Sequence, residues 1–209
     1  MPQGGDGPQA CACMPRSRPG DYRSVITFFA DYICPFSYLS LRGVERVTAE
    51  LGVELERCAF ELRPAGSPLL RAATDDEWAV VTKVAKDAGL TIRAPALQPR
   101  TRKAHEATKF AAAAGKAAEF QHAIFDAHFE QGKDIGRIDV LVEIGREVGL
   151  DPTALKVALD IDAHADEVEK DLQKAVDLEI QGTPAFVAGN DVRVGYLTEE
   201  HLRDWLRDK

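Results

Sequence analysis

The sequence predicts an α/β fold in which a large helical insertion divides a single sheet, in the order βαβ, helical block, αββα. Three observations predict it. An apolar, β-branched and aromatic run at 24–30 and a second strand-like run at 53–62 enclose a segment whose apolar residues recur at helical spacing, which is the pattern of a βαβ unit. From residue 65 to about 164 only helical periodicity appears, punctuated by glycines. Two further short runs, 183–188 and 192–195, then flank Gly189-Asn190-Asp191, a composition suited to an antiparallel hairpin.

Each element has its own signal. Ser24 to Ala30 is almost continuously hydrophobic, as expected of a strand buried on both faces. Phe36, Leu39, Leu41, Val44, Val47 and Leu51 then mark one face of a helix, stopped by Gly52. The strand from Val53 to Leu62 ends at Arg63-Pro64, and a right-handed crossover would lay it parallel to the first. Thr74-Asp75-Asp76-Glu77 reads as a capping box opening a helix that runs to Gly89. Arg93 to Arg100, with Pro95 and Pro99, reads as a loop. Helices are expected over 101–114, 118–130, 139–148 and 152–160, the last opened by Asp151 as N-cap and Pro152 at the first helical position. A long charged helix follows over 163–180, and a closing helix over 198–207.

The chain has 209 residues, 45% hydrophobic and 29% charged, enough to bury a core without covalent staples. Lys and Arg number 26 against 34 Asp and Glu, a net charge of −8 with no basic run, which speaks against a nucleic-acid partner. No stretch approaches the roughly 18 apolar residues of a membrane span. Residues 1 to about 20 are rich in Gly, Pro and Gln, lack the apolar stretch of a signal peptide, and read as a disordered tail. A cytoplasmic protein is expected, so its four cysteines are read first as reactive, metal-binding or buried rather than as disulfides.

Cys34 is the sharpest chemical feature. It stands where the first strand hands over to a helix, at the N-cap, with Pro35 next. The unpaired N–H groups and partial positive charge of a first helical turn favour a thiolate and depress a cysteine pKa. Ser37, one turn on, can donate a hydrogen bond to the sulfur. The plain alternative is a buried apolar cysteine. Asp31 lies three residues earlier, either a proton acceptor that would raise the thiol pKa or a satisfied turn residue. Phe36 is expected half-exposed beside the thiol as an apolar wall for a substrate, and Tyr38 is equally a core residue. Thr183-Pro184, between a helix end and a short strand, is by itself an ordinary strand-opening proline.

Cys58 lies about six residues before the end of its strand, on the order of 10–20 Å below the edge where Cys34 sits. A disulfide needs Cα atoms within about 7 Å, so Cys58 reads as core. Cys11 and Cys13, in the tail, have the reach to approach Cys34 but no other signal. No metal site is expected. His122 and His128 are six apart on different helix faces, and His105-Glu106 lacks the second His of a zinc protease.

Taken together, Cys34-Pro35-Phe36-Ser37 after a first strand, a helical insertion, and Gly182-Thr183-Pro184-Ala185-Phe186-Val187 resemble the DsbA family of thioredoxin-like oxidoreductases, most of all its intracellular FrnE-like branch. Phe60-Glu61-Leu62-Arg63-Pro64, Lys103-Ala104-His105-Glu106-Ala107 and Ala127-His128-Phe129-Glu130-Gln131-Gly132-Lys133-Asp134-Ile135 add to the likeness, which spans about residues 24–207. It implies a thioredoxin-like fold made of 24–64 and 165–209, a helical domain inserted at 65–164, and a tail over 1–23. It also implies that Cys34 is the nucleophile, that Pro184 is a cis-proline facing it, and that Thr183 pairs through its backbone with an extended peptide or glutathione. On that reading Cys34, Ser37 and Pro184 are the catalytic set, and Pro35, Phe36 and Thr183 touch the substrate.

The sequence departs from the dithiol members in one position. Ser37 stands where they carry the second cysteine, so a mixed disulfide at Cys34 lacks the usual intramolecular release. A free thiol such as glutathione is then expected as co-substrate, with no tightly bound cofactor. The partner is a peptide or small-molecule thiol or disulfide, with neither nucleic acid nor membrane, and a homodimer is compatible with this. Two other readings stay open. The Ser37 ending also resembles glutathione transferases of the kappa type and 2-hydroxychromene-2-carboxylate isomerases, which activate bound glutathione. A redox-inactive peptide-binding protein is the third.

Overall fold

The computed structural model describes residues 25–208; the expected tail, with Cys11 and Cys13, lies outside them. Four strands form one sheet in the order β2-β1-β3-β4. β1 (Val25–Ala30) is central, pairs in parallel with β2 (Glu54–Ala59) and antiparallel with β3 (Ala185–Ala188), and β3 pairs antiparallel with β4 (Asp191–Val194). Ile26 to Ala30 are buried throughout, which is why that run carries no polar alternation. β3 is fully buried as well, and Phe28 stacks on Phe186 across the β1–β3 pair with ring centroids 5.2 Å apart.

α1 (Pro35–Leu51) crosses between β1 and β2, and Gly52 closes it in the left-handed conformation at φ 65°. The insertion comprises α2 (Asp75–Asp87), α3 (Arg102–Ala113), α4 (Ala117–Phe129), α5 (Ile138–Glu147) and α6 (Pro152–Asp160). The expected capping box forms between Thr74 and Glu77. α7 (Ala165–Asp177) and α8 (Glu199–Arg207) complete the chain.

The two faces of the sheet bury different things. α1 and the helical insertion share a large core with Phe28, Ala30 and Phe186. On the other face Phe29, Cys58, Ala185 and Val187 pack under Ala175 of α7 and Ile180. α7 also satisfies the outer strand: the Asp171 carboxylate accepts the Ala59 N–H at 2.7 Å and holds Lys109 at 2.6 Å. Among the described residues no helix is long and apolar enough to cross a membrane.

Two expected elements are shorter than their patterns. β2 stops at Ala59 instead of Leu62, because the Asp31 side chain takes over as hydrogen-bond partner and accepts the Leu62 N–H at 2.6 Å. The charged helix expected over 163–180 is Ala165–Asp177. Asp162 and Glu179 both adopt φ 55° and break the helical run at either end.

Candidate active site

The turn from β1 into α1 brings Cys34 to the N-cap position. Its backbone is extended (φ −91°, ψ 113°), Pro35 opens the helix, and the Cys34 carbonyl accepts the N–H groups of Ser37 and Tyr38 at 3.1 and 3.3 Å. The Cys34 N–H donates back to the Asp31 carbonyl at 3.0 Å. Asp31 itself is fully buried, its carboxylate accepting the N–H of Ile33 and of Leu62, with His105 Nε2 at 3.8 Å. This carboxylate pins the active-site turn to the segment after β2, which is the satisfied turn residue that the sequence offered as one of its two readings.

Across the site, the Thr183–Pro184 peptide is cis, and the Pro184 carbonyl accepts the Gly195 N–H at 2.8 Å. The Cys34 thiol donates to the Thr183 carbonyl oxygen with the sulfur 3.2 Å away. A carbonyl in this place favours the protonated thiol. Ser37 Oγ and Thr183 Oγ1 are both buried without a partner in hydrogen-bond geometry. Both hydroxyls nonetheless lie close enough to the sulfur to favour its charged form. The neutral thiol thus leaves two hydroxyls unsatisfied that a thiolate would engage.

Cys34 is only 5% exposed. Burial pushes its thiol above the usual cysteine range; Ser37, Thr183 and the Ser37 backbone N–H pull it back, and the Asp31 charge adds to the rise. The lowered pKa expected from the helix N-terminus is therefore corrected. That expectation counted the helix and left out the desolvation of a sulfur closed in by Thr183.

Cys34 opens onto a cleft of about 640 Å³ between the head of α1, α2 and the loops at 62–73 and 94–98. Pro35 and Phe36 line it with Cys34, and Phe36 is half-buried, packing on Tyr196 at 6.2 Å. Leu62, Trp78 and Leu97 continue the apolar wall. Ser37, Thr183 and Pro184 stand around or behind the sulfur instead of on the cleft surface. Tyr38 lies in the core, its hydroxyl donating to Asp126 at 2.7 Å.

Cys58 is buried, free, and packed on the α7 face of the sheet beside Phe29. Burial pushes its thiol far up, and it lines a separate cavity with Tyr32 and Gln121. Among the described residues no group of three or more His, Cys, Asp or Glu is placed to hold a metal ion.

The sequence reasoning missed two contributors to the cleft: the wall from α2 and its loops, and His128, which faces the cleft from α4. In the sequence His128 stood out only within the family-like stretch Ala127 to Ile135 and as a histidine six residues from His122, neither of which placed it on a cleft.

Comparison with known proteins agrees with this fold. The family profile of the DSBA-like thioredoxin domain matches residues 25–207. The chain is 32% identical over 192 residues to the uncharacterized protein YwbO of Bacillus subtilis (strain 168), covering 88% of this chain and 96% of that protein. Among solved structures, a probable DsbA oxidoreductase from Streptomyces coelicolor superposes with a TM-score of 0.80 at 22% identity, over 88% of this chain and 89% of the other. A 2-hydroxychromene-2-carboxylate isomerase superposes with a TM-score of 0.70 at 18% identity, over 88% of this chain and 93% of the other. At such identities the structural likeness speaks for the fold.

Proposed function

Because the chain belongs to the DSBA-like thioredoxin domain family, we propose that it is a thiol–disulfide oxidoreductase that works through the single thiol of Cys34. The observation that carries this reading is the placement of the Cys34 sulfur: at the head of α1, on a cleft wall, and 3.2 Å from the Thr183 carbonyl. The Cys34 thiol loses its proton, and the thiolate attacks one sulfur of a disulfide R–S–S–R′. The S–S bond breaks, a Cys34–S–R bond forms, and R′S⁻ leaves and takes up a proton. The charge that forms on Cys34 before attack is met by the Ser37 and Thr183 hydroxyls, which lack partners while the thiol is neutral.

Ser37 cannot resolve the mixed disulfide, and Cys58 packs on the other face of the sheet. A second thiol from solution, such as glutathione, attacks Cys34–S–R, restores the Cys34 thiolate and leaves as R–S–SG. That cycle needs a pool of reduced thiol, as the cytoplasm supplies. The test is intact-protein mass spectrometry of reduced protein treated with glutathione disulfide, beside Cys34→Ser. One glutathione adduct that requires Cys34 and is removed by reduced glutathione is expected. An internal disulfide, or no adduct, overturns the proposal.

A second reading, a glutathione-dependent transferase or isomerase, is favoured by one observation. The cleft is broad and apolar while burial holds the Cys34 thiol protonated. Catalysis that survives in Cys34→Ser would select it.

A further inference from the structure

Most polar side chains on the wall of the cleft are already committed. Gln98 spends its amide on the Leu70 backbone, accepting the N–H at 2.8 Å and donating to the carbonyl at 3.1 Å. Arg71 and Glu77 pair at 2.6 Å at the exposed rim, and Asp75 lies exposed to water at the start of α2. His128 differs. It is 1% exposed, and neither ring nitrogen has a partner in hydrogen-bond geometry. Burial favours its neutral form, opposed by a marginal hydrogen bond to the Lys133 backbone, which leaves the second ring nitrogen without any partner, and by the charges of Asp31 and Asp134. A neutral imidazole offers one donor and one acceptor, and a buried polar group left unpaired needs an explanation.

We infer that His128 is the polar anchor of the cleft: it hydrogen-bonds an uncharged polar group on a substrate whose largely apolar, aromatic or aliphatic body fills the space beside Cys34. The inference rests on the reading of Cys34 as nucleophile and names the class of disulfide that it attacks. Phe36, Trp78, Leu62 and Leu97 give that body its contacts. A zwitterionic peptide such as glutathione fits this cleft poorly, because the Arg71 guanidinium on its wall is already paired with Glu77. Glutathione disulfide therefore reacts with Cys34 as a general disulfide without a dedicated anchor, and in the cycle glutathione serves as the resolving thiol that arrives from solution.

Two probes test this. 4,4′-Dithiodipyridine is a flat, uncharged disulfide with a hydrogen-bond acceptor on each ring; methyl methanethiosulfonate is too small to fill the cleft. The ratio of their rates of reaction with Cys34 isolates the contribution of the cleft, since a change in thiol acidity moves both rates in the same direction. In His128→Phe the ratio is expected to fall at least tenfold toward the methyl reagent, and His128→Gln is expected to recover part of it. A ratio unchanged in both variants overturns the role of His128. If His128→Phe does not fold, His128→Gln and His128→Asn decide the matter: a ratio equal to that of the unaltered protein in both overturns the inference. Failure of either probe to modify Cys34 in the unaltered protein instead overturns the reading of Cys34 as the nucleophile.

Discussion

The Cys34 sulfur and the Thr183 carbonyl oxygen lie 3.2 Å apart although 149 residues separate them in the chain. The contact joins the head of α1 to the segment that leads into β3. Together with burial it keeps the proton on the sulfur, so Cys34 in the unliganded protein is a thiol.

The acidity of that thiol should depend on Ser37, its largest favourable neighbour. In the unaltered protein the pH dependence of iodoacetamide alkylation should have its midpoint above the ordinary cysteine value of about 8.5. Ser37→Ala should move the midpoint higher still and slow alkylation near neutral pH about tenfold, the worth of one hydrogen bond to a charged group. A midpoint that falls, or stays, would contradict the role given to the hydroxyl.

Ser37→Cys should change the product rather than the rate. The second thiol would stand one helical turn from Cys34, within disulfide reach. Treatment with glutathione disulfide should then leave a protein lighter by two hydrogens in place of a lasting glutathione adduct. Mass spectrometry of the oxidised protein distinguishes the two.

Stability should decline on the alkaline side. Burial raises the Cys34 and Cys58 thiols above their unfolded values. The folded state therefore holds these protons more tightly than the unfolded chain. Their contribution is complete below about pH 8.5 and is lost as pH rises toward the folded values. Cys58→Ala should flatten this decline in thermal melts between pH 7 and 10, while costing stability at neutral pH by leaving a small void.

Phe186→Ala removes one half of the stacked pair that joins β1 to β3. A loss of about 3–5 kcal/mol is expected in urea titration. Phe28→Ala should cost a similar amount, and the double variant less than the sum, because the two rings share one contact.

Thr74→Ala removes a cap whose hydroxyl accepts the Glu77 N–H. It should cost about 1 kcal/mol. The loss should appear first as a change in Trp78 fluorescence, since α2 carries that residue into the cleft wall.

Much of this was legible in the sequence because it rests on local rules. Gly52, Pro152 and the Thr74–Glu77 box fixed helix ends through backbone geometry and caps. The continuous apolar run of β1 announced a central strand. What the sequence withheld was set by distant chain. The direction of the Cys34 pKa depends on how tightly 183–184 closes over the sulfur, and the end of β2 depends on the Asp31 carboxylate. His128 gave no periodic signal, since a buried imidazole and a core residue follow the same helical spacing. Leu70 and Leu97 come from segments without regular structure, where no pattern encodes a shared wall.

The position of β1 in the sheet has a consequence for how the chain is made. One edge of β1 is matched early, by β2, which follows it closely in the chain. Its other edge must wait for β3, which emerges only after five helices and α7. During synthesis the central strand of the sheet therefore carries an open row of N–H and C=O groups until the last eighth of the chain appears. Such long-range pairing slows folding and leaves the nascent protein prone to intermolecular strand pairing. Truncated chains that end before β3 should bind chaperones and aggregate, whereas losses confined to α8 should spare the central pairing.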